Sequence, residues 1–304
     1  MFDFTYERTK ASVMESLARL QLTYIDTVQV HDPEFAPSLD VVVSETLRAL
    51  YDCKKEGLIK AVGITGYPLD MLRELHAKAV AAGIPVDTCL SYSHYCLHDT
   101  SLVTSGTARY MADAGVGVLN GSPLSMSLLS TAGAPAWHPA SSSLKERAKA
   151  AAALCASRGV NFERVAMGFA LASPDVPTTL FSTSKVEKLL ANIDQTTGDK
   201  PTTAEEKKVM EELLAAPYFG GDGYDAIKSW EGVEVQKVWA KIGKSLLAEW
   251  YASVAAARAG GASSRVGFIG EGFIPTSNST LAGGAGSIAH TFSPLPSPGS
   301  PGGK

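Results

Sequence analysis

Between Thr5 and Asn192 the chain switches repeatedly between helical and strand-like hydrophobic periods, and that alternation restricts its fold more than any other feature. Val13, Leu17 and Leu20 share one face of a helix expected from Thr5 to Leu20. Tyr24–Val30 is a β-branched run that ends at His31. A second helix is expected from Leu39 to Glu56, striped by Val43, Leu47 and Leu50, with Lys54 and Lys55 in its last turn and Gly57 as its stop. Further strands are expected at Ile59–Thr65, Val86–Ser91, Val116–Leu119 and Thr178–Phe181. Helices fall between them at Leu69–Ala82, near Ser101–Ala114, up to Arg158, at Phe162–Ala172 and from Lys185. Ser143 with Glu146, and Thr203 with Glu206, read as capping boxes.

A strand–helix unit of roughly 30 residues implies parallel βαβ construction. Right-handed crossovers leave two architectures open, a doubly wound sheet or a closed barrel. No G-x-G-x-x-G follows the first strand, and the Gly267, Gly270, Gly272 stretch has neither the spacing nor the context of a nucleotide loop.

Hydrophobic residues make up 45% of the chain and charged residues 19%, which fits a globular rather than a disordered protein. A net charge of -4 gives no reason to expect nucleic acid or an anionic membrane as partner. An anionic cofactor stays open, because backbone N–H groups hold phosphate on acidic proteins too. Cys53, Cys89, Cys96 and Cys155 form no C-x-x-C pair, so buried reduced thiols are expected and no metal site. The first residues carry no leader-like pattern, and no apolar run approaches the roughly 18–20 residues of a membrane span, so a cytoplasmic protein is expected. Composition divides the chain into 1–216, a helical extension at 217–258 with an amphipathic stretch Val233–Ala257, and a Gly/Ser/Pro-rich tail at 259–304 expected to be disordered.

In parallel α/β folds, reactive residues sit at the carboxyl ends of strands. That rule selects His31, Thr65, Ser91, Asn120 to Ser122, and Ser182. An imidazole at a strand end can polarise a carbonyl or pass a proton, and it can equally be satisfied by a neighbouring loop. The small hydroxyl residues suit a carboxamide or a pyrophosphate, and ordinary loop starts use them as well.

Several motifs together carry a family resemblance. Asp3-Phe-Thr, Ser16 through Asp26, and Val30-His-Asp32 resemble the aldo-keto reductases, closest to their plant and algal L-galactose dehydrogenase branch. Gly63 through Leu69, Leu90 through Tyr95, Gly117 through Leu124, Trp137 through Ser141 and Thr178 through Asn192 extend the likeness to about residue 215. The resemblance implies an incomplete (β/α)8 TIM barrel in which strands four to eight are present. It implies an oxidoreductase that uses NAD to convert L-galactose to L-galactono-1,4-lactone, a step of ascorbate biosynthesis. His31 would hydrogen-bond the substrate oxygen. Thr65, Gly66 and Ser91 would meet the nicotinamide carboxamide, and Ser122, Pro123 and Leu124 the pyrophosphate. Ser182, Thr183, Lys188 and Asn192 would meet the adenosine half, and Trp137 would cover the substrate, or else staple its own loop. Lys188 could pair with the 2′-phosphate of NADP or be a solvated helix residue. Ser182 and Ala191 depart from the family's usual glycine and glutamate.

The family's catalytic aspartate, tyrosine and lysine lie on strands that precede the Asp3-Phe-Thr segment. The expected fold therefore carries two open sheet edges, suited to self-association. Three functions remain: a sugar dehydrogenase in a longer form, a cofactor- or partner-binding remnant without catalysis, and a pure assembly module.

Overall fold

The structure, a computed structural model, describes residues 2–243. Helix α1 (Tyr6–Leu20) begins where the Thr5 hydroxyl accepts the Arg8 N–H, and it ends at Gln21 in the left-handed region. Val13 and Leu17 are buried as its stripe requires, whereas Leu20 is 58% exposed because the helix turns it off the sheet in its last turn. Strand β1 (Ile25–His31) follows.

The next helical run is not uniform. Leu39–Val41 (α2) and Arg48–Lys55 (α3) flank a π-helical segment, Val42–Leu47, where one unbroken helix was expected. The widened turns carry Thr46, whose hydroxyl donates to the Phe4 carbonyl at 2.6 Å, and Glu45, which accepts the Tyr6 N–H at 2.8 Å. The bulge thus coincides with the seam against the start of α1.

The remaining elements are β2 (Ile59–Gly66), α4 (Leu69–Ala81), β3 (Thr88–Tyr92), α5 (Ser101–Thr104), α6 (Thr107–Asp113) and β4 (Gly117–Gly121), then α7 (Ser142–Ser157), α8 (Phe162–Leu171), β5 (Thr178–Leu180), α9 (Val186–Thr197), α10 (Ala204–Leu213) and α11 (Val233–Ile242). The expected Ser101–Ala114 helix is broken in two because Gly106 sits at φ +77°. The cap of α7 is Ser141, which accepts the Leu144 N–H, so the expected Ser143–Glu146 box does not form. The Thr203–Glu206 box does form, with both reciprocal bonds present. The amphipathic stretch is seen as a helix only up to Ile242. Its remainder, the glycine-rich tail and the weak strand at Arg265–Ile269 lie outside the described residues.

All five strands are parallel and lie in sequence order β1-β2-β3-β4-β5. A doubly wound sheet reverses its order partway; this sheet runs one way, as a barrel wall does. Among the described residues β1 and β5 each pair on one side only.

Alternation assigns the two faces. Val30, Val62, Ile64, Cys89 and Val118 are buried in one core with Leu47, Leu50, Leu72 and Leu75 of the surrounding helices. Each fully buried leucine contributes roughly 1.5–3 kcal/mol. The residues between them, from Gln29 and His31 on β1 to Leu180 on β5, face the other way and line a cavity. A second core joins α7, α8 and α10 to Phe219, Tyr224 and Trp230 of the chain that follows.

Candidate functional site

The cavity has a volume of about 770 Å³, within the usual range for small-ligand sites. It lies at the carboxyl ends of the strands. His31 ends β1, Tyr92 ends β3, Gly121 ends β4 and Leu180 ends β5, and all four line it together with Thr65 near the end of β2. The register places His31 beside Thr65, with the Asp32 N–H donating to the Thr65 carbonyl at 2.9 Å.

The His31 imidazole is 75% exposed, and its Nδ1 lies 3.1 Å from Asp32 Oδ2. That hydrogen bond raises the imidazole's pKa above its ordinary value, against a smaller opposing effect of burial. Asp32 is bent to φ +51°, which turns the chain into the Pro33–Phe35 turn. Glu34 in that turn also lines the cavity. Its Oε1 accepts the Tyr67 N–H at 3.1 Å, while its Oε2 is buried without a partner. Burial pushes its carboxyl up to about 7. Gly66 is glycine for a local reason: a Cβ there would lie 2.8 Å from Glu34 Oε2 and from Met71 Cε.

After β4 the chain turns through four left-handed residues, Ser122, Ser125, Met126 and Ser127. Ser122 Oγ accepts the Met126 N–H at 3.2 Å. Ser122, Pro123 and Leu124 line the cavity, as does Ser182, which follows the neighbouring strand β5. Burial raises the Tyr92 phenol, against a hydrogen bond with Ser122 that lowers it.

Other expected positions lie elsewhere. Ser91 and Asn120 take the helix-covered face of the sheet, 1% and 0% exposed, one residue out of phase with the cavity-lining Tyr92 and Gly121. The Ser91 hydroxyl has no protein partner. Thr183 caps a turn by accepting the Lys185 N–H. Lys188 is exposed and Asn192 half-buried on α9, both outside the cavity wall. Trp137 is 68% exposed and stacks on His138, away from the cavity.

Sequence reasoning missed several wall residues: Asp32, Glu34, Tyr67, Trp230 and Glu234. The alternation that places Thr65 inward would have suggested Tyr67 two residues on. Nothing in the sequence ties Trp230 or Glu234 to the same wall. It also missed a buried group behind that wall. His94 Nδ1 lies 2.9 Å from Asp99 Oδ2, and its Nε2 lies 2.8 Å from Glu231 Oε1. Burial pulls the His94 pKa down, but the hydrogen bond to Asp99 and the two nearby carboxylates outweigh it and bring it to about 9. Tyr67 stacks on the His94 ring and on Trp230, with ring centroids 4.6 and 5.1 Å apart.

Among the lining residues there are three carboxyl groups, Asp32, Glu34 and Glu234, and one imidazole, but no lysine or arginine. Among the described residues no His/Cys/Asp/Glu group is arranged to hold a metal, and no helix is long and apolar enough to cross a membrane.

A model of the aldo/keto reductase family matches residues 1–214. The chain is 41% identical over 216 residues to an L-galactose dehydrogenase of Arabidopsis thaliana, an alignment covering 69% of this chain and 66% of that protein. It is 34% identical over 174 residues to a D-arabinose 1-dehydrogenase of Saccharomyces cerevisiae, covering 56% and 51%. The chain thus spans between half and two thirds of the length of these relatives. In fold it resembles an aldo-keto reductase from Bacillus halodurans, with TM-score 0.52 at 22% identity over 73% of this chain and 72% of that one. A glycerol dehydrogenase from Gluconobacter oxydans gives TM-score 0.55 at 21% identity over 73% and 68%.

Proposed function

The chain belongs to the aldo/keto reductase family, and on that premise we propose that its cavity is the substrate and nicotinamide end of an NAD(P)-dependent sugar dehydrogenase site, with L-galactose as substrate and its 1,4-lactone as product. The five strands correspond, on this reading, to strands four to eight of the family's barrel. The observation that carries it is the position of His31, on the last residue of β1 in the cavity wall, with Nδ1 engaged by Asp32.

With Nδ1 engaged, the other ring nitrogen is left for a substrate oxygen. Aromatic rings of Tyr92 and Phe181, beside carboxyl groups on Asp32 and Glu234, suit an uncharged polyol that packs one face against them and hydrogen-bonds its hydroxyls. The wall also fits the nicotinamide end of the cofactor. Thr65 offers a hydroxyl beside His31, and the left-handed Ser122–Ser127 turn presents backbone to a phosphate without needing a basic side chain. When bound, the nicotinamide would accept a hydride from the sugar carbon. Lys188, on α9 outside this wall, belongs to the adenosine half on this reading, so the choice between NAD and NADP is made there and not in the cavity.

A second reading has its own support: this wall binds cofactor or a partner without turning substrate over. No lysine lines the cavity, and burial raises the phenols of both Tyr67 and Tyr92 rather than lowering them. A general acid with a lowered pKa is therefore not assembled from this wall, and such a group is worth about 10²–10⁴ in rate. The one-sided edges of β1 and β5 would then serve self-association. Sedimentation at micromolar concentration showing only monomer would contradict that last point.

Incubation with L-galactose and NAD, followed by the absorbance of reduced nicotinamide, separates the readings. The dehydrogenase reading expects turnover that falls at least a hundredfold in His31→Ala. The binding reading expects saturable quenching of NADH fluorescence with no turnover. Failure of both turnover and binding contradicts the proposal.

A further inference from the structure

The residues that close the cavity on one side, Trp230, Gly232, Glu234 and Val235, lie beyond the 214 residues matched by the family model. They reach the cavity through one short segment, and the contacts of that segment are unusually specific. The Trp230 N–H donates to the Tyr67 hydroxyl at 3.0 Å, and that hydroxyl also meets Ser229 Oγ at 3.1 Å. The Trp230 ring is buried between Tyr67 and His138, with centroids 5.1 and 4.9 Å away. Next to it, Glu231 reaches inward to His94 Nε2 at 2.8 Å. Gly232 then turns the chain at φ +78°, and α11 packs against the Pro33–Phe35 turn.

His94 is an uncommon anchor. Its side chain is 2% exposed, and Asp99, which holds its other nitrogen, is fully buried. A neutral imidazole carries one N–H, whereas both ring nitrogens here face carboxylate oxygens. Nδ1 hydrogen-bonds Asp99, while the Glu231 carboxylate lies close to Nε2 without the alignment of a hydrogen bond, so an ion pair with the imidazolium is what draws it in. The remaining titratable neighbours do not compete for that charge. The Tyr67 phenol stacks flat on the ring, and burial holds the nearby His98 neutral down to about 4.

We propose that Glu231 and the buried His94 imidazolium form a charge latch that positions Trp230 and Glu234 in the cavity wall. His94 and Glu231 are positioning residues; they act on a ligand through Trp230 and Glu234. The inference concerns the wall itself and stands whether or not hydride transfer occurs in the cavity.

Backbone hydrogen exchange on the full chain tests it. Glu231→Gln keeps the shape and removes the charge, at a side chain that is 41% exposed and so tolerates the change. An ion pair with a partly exposed carboxylate is worth up to about fivefold in an opening equilibrium. At pH 7 the variant should therefore exchange the bonded Trp230, Val233 and Gln236 amides up to about fivefold faster, with β2 and β3 unchanged. A pH series supplies the readout that a merely structural role would not move. Once the intrinsic base-catalysed rate is divided out, protection of this segment in the native chain should fall as pH rises through about 9, where His94 loses its proton. In Glu231→Gln it should stay flat over the same range. Equal protection of Trp230 in the two proteins, or the same pH response in both, overturns the latch.

Discussion

His31 and Glu34, three residues apart, are both shifted toward the proton-bearing form, for different reasons. His31 is an exposed imidazole whose pKa is raised by a hydrogen bond to Asp32. Asp32→Asn should return the His31 pKa toward 6.5, as read from imidazole NMR shifts against pH. A titration unmoved by the substitution would remove Asp32 as the cause. Glu34 is raised to about 7 by burial, with one carboxyl oxygen lacking a partner. In the unfolded chain it ionises near 4.5, so between about 4.5 and 7 the folded state holds a proton that the unfolded state has released. Stability must then fall as pH rises through that window, by up to about 3 kcal/mol. Glu34→Gln should flatten that slope and make the protein more stable than the native chain at pH 8, measured by denaturant unfolding. A steeper slope in the variant would contradict the assignment. His31 was legible in the sequence because it ends a strand. Glu34 was not, because its character comes from the Tyr67 amide and the Gly66 backbone, and those neighbours exist only after β1 and β2 are paired.

At the scale of elements, the alternation of periods located each strand among the described residues to within a few positions, since buried parallel strands and amphipathic helices leave distinct periods. Phase within a strand was less legible. Ser91 and Tyr92 both stand at the end of β3, and only the register with Gly66 and Asn120 shows which one faces the cavity. The same limit applies to helix starts. Ser141, Ser142 and Ser143 are equivalent in sequence, and backbone geometry selects Ser141, whose hydroxyl accepts the Leu144 N–H at 3.2 Å. Ser141→Ala should cost about 1 kcal/mol in denaturant unfolding, while Ser143→Ala should cost a few tenths at most. The reverse order would place the cap where the sequence pattern had suggested. The π-helical Val42–Leu47 segment left no trace in the sequence, because its cause is a contact with Phe4 and Tyr6 some forty residues earlier.

At the scale of the molecule, five parallel staves in unbroken order form a wall whose strand ends converge on one cavity. The sequence predicted the strands of that wall, and among the residues it singled out His31, Thr65, Ser122 to Leu124, and Ser182 line the cavity. Tyr67 and Trp230, also in the lining, meet across more than 160 residues of separation. His31 is thus a discriminating probe of whether the cavity receives a nicotinamide. His76 provides an internal control, buried on α4 and bonded to the Tyr110 hydroxyl at 3.0 Å. The direct measurement follows both imidazoles by NMR while NADH is added to the full chain. A saturable shift of His31 with His76 unmoved is expected. No shift of His31 at millimolar NADH, or parallel shifts of both, would contradict it.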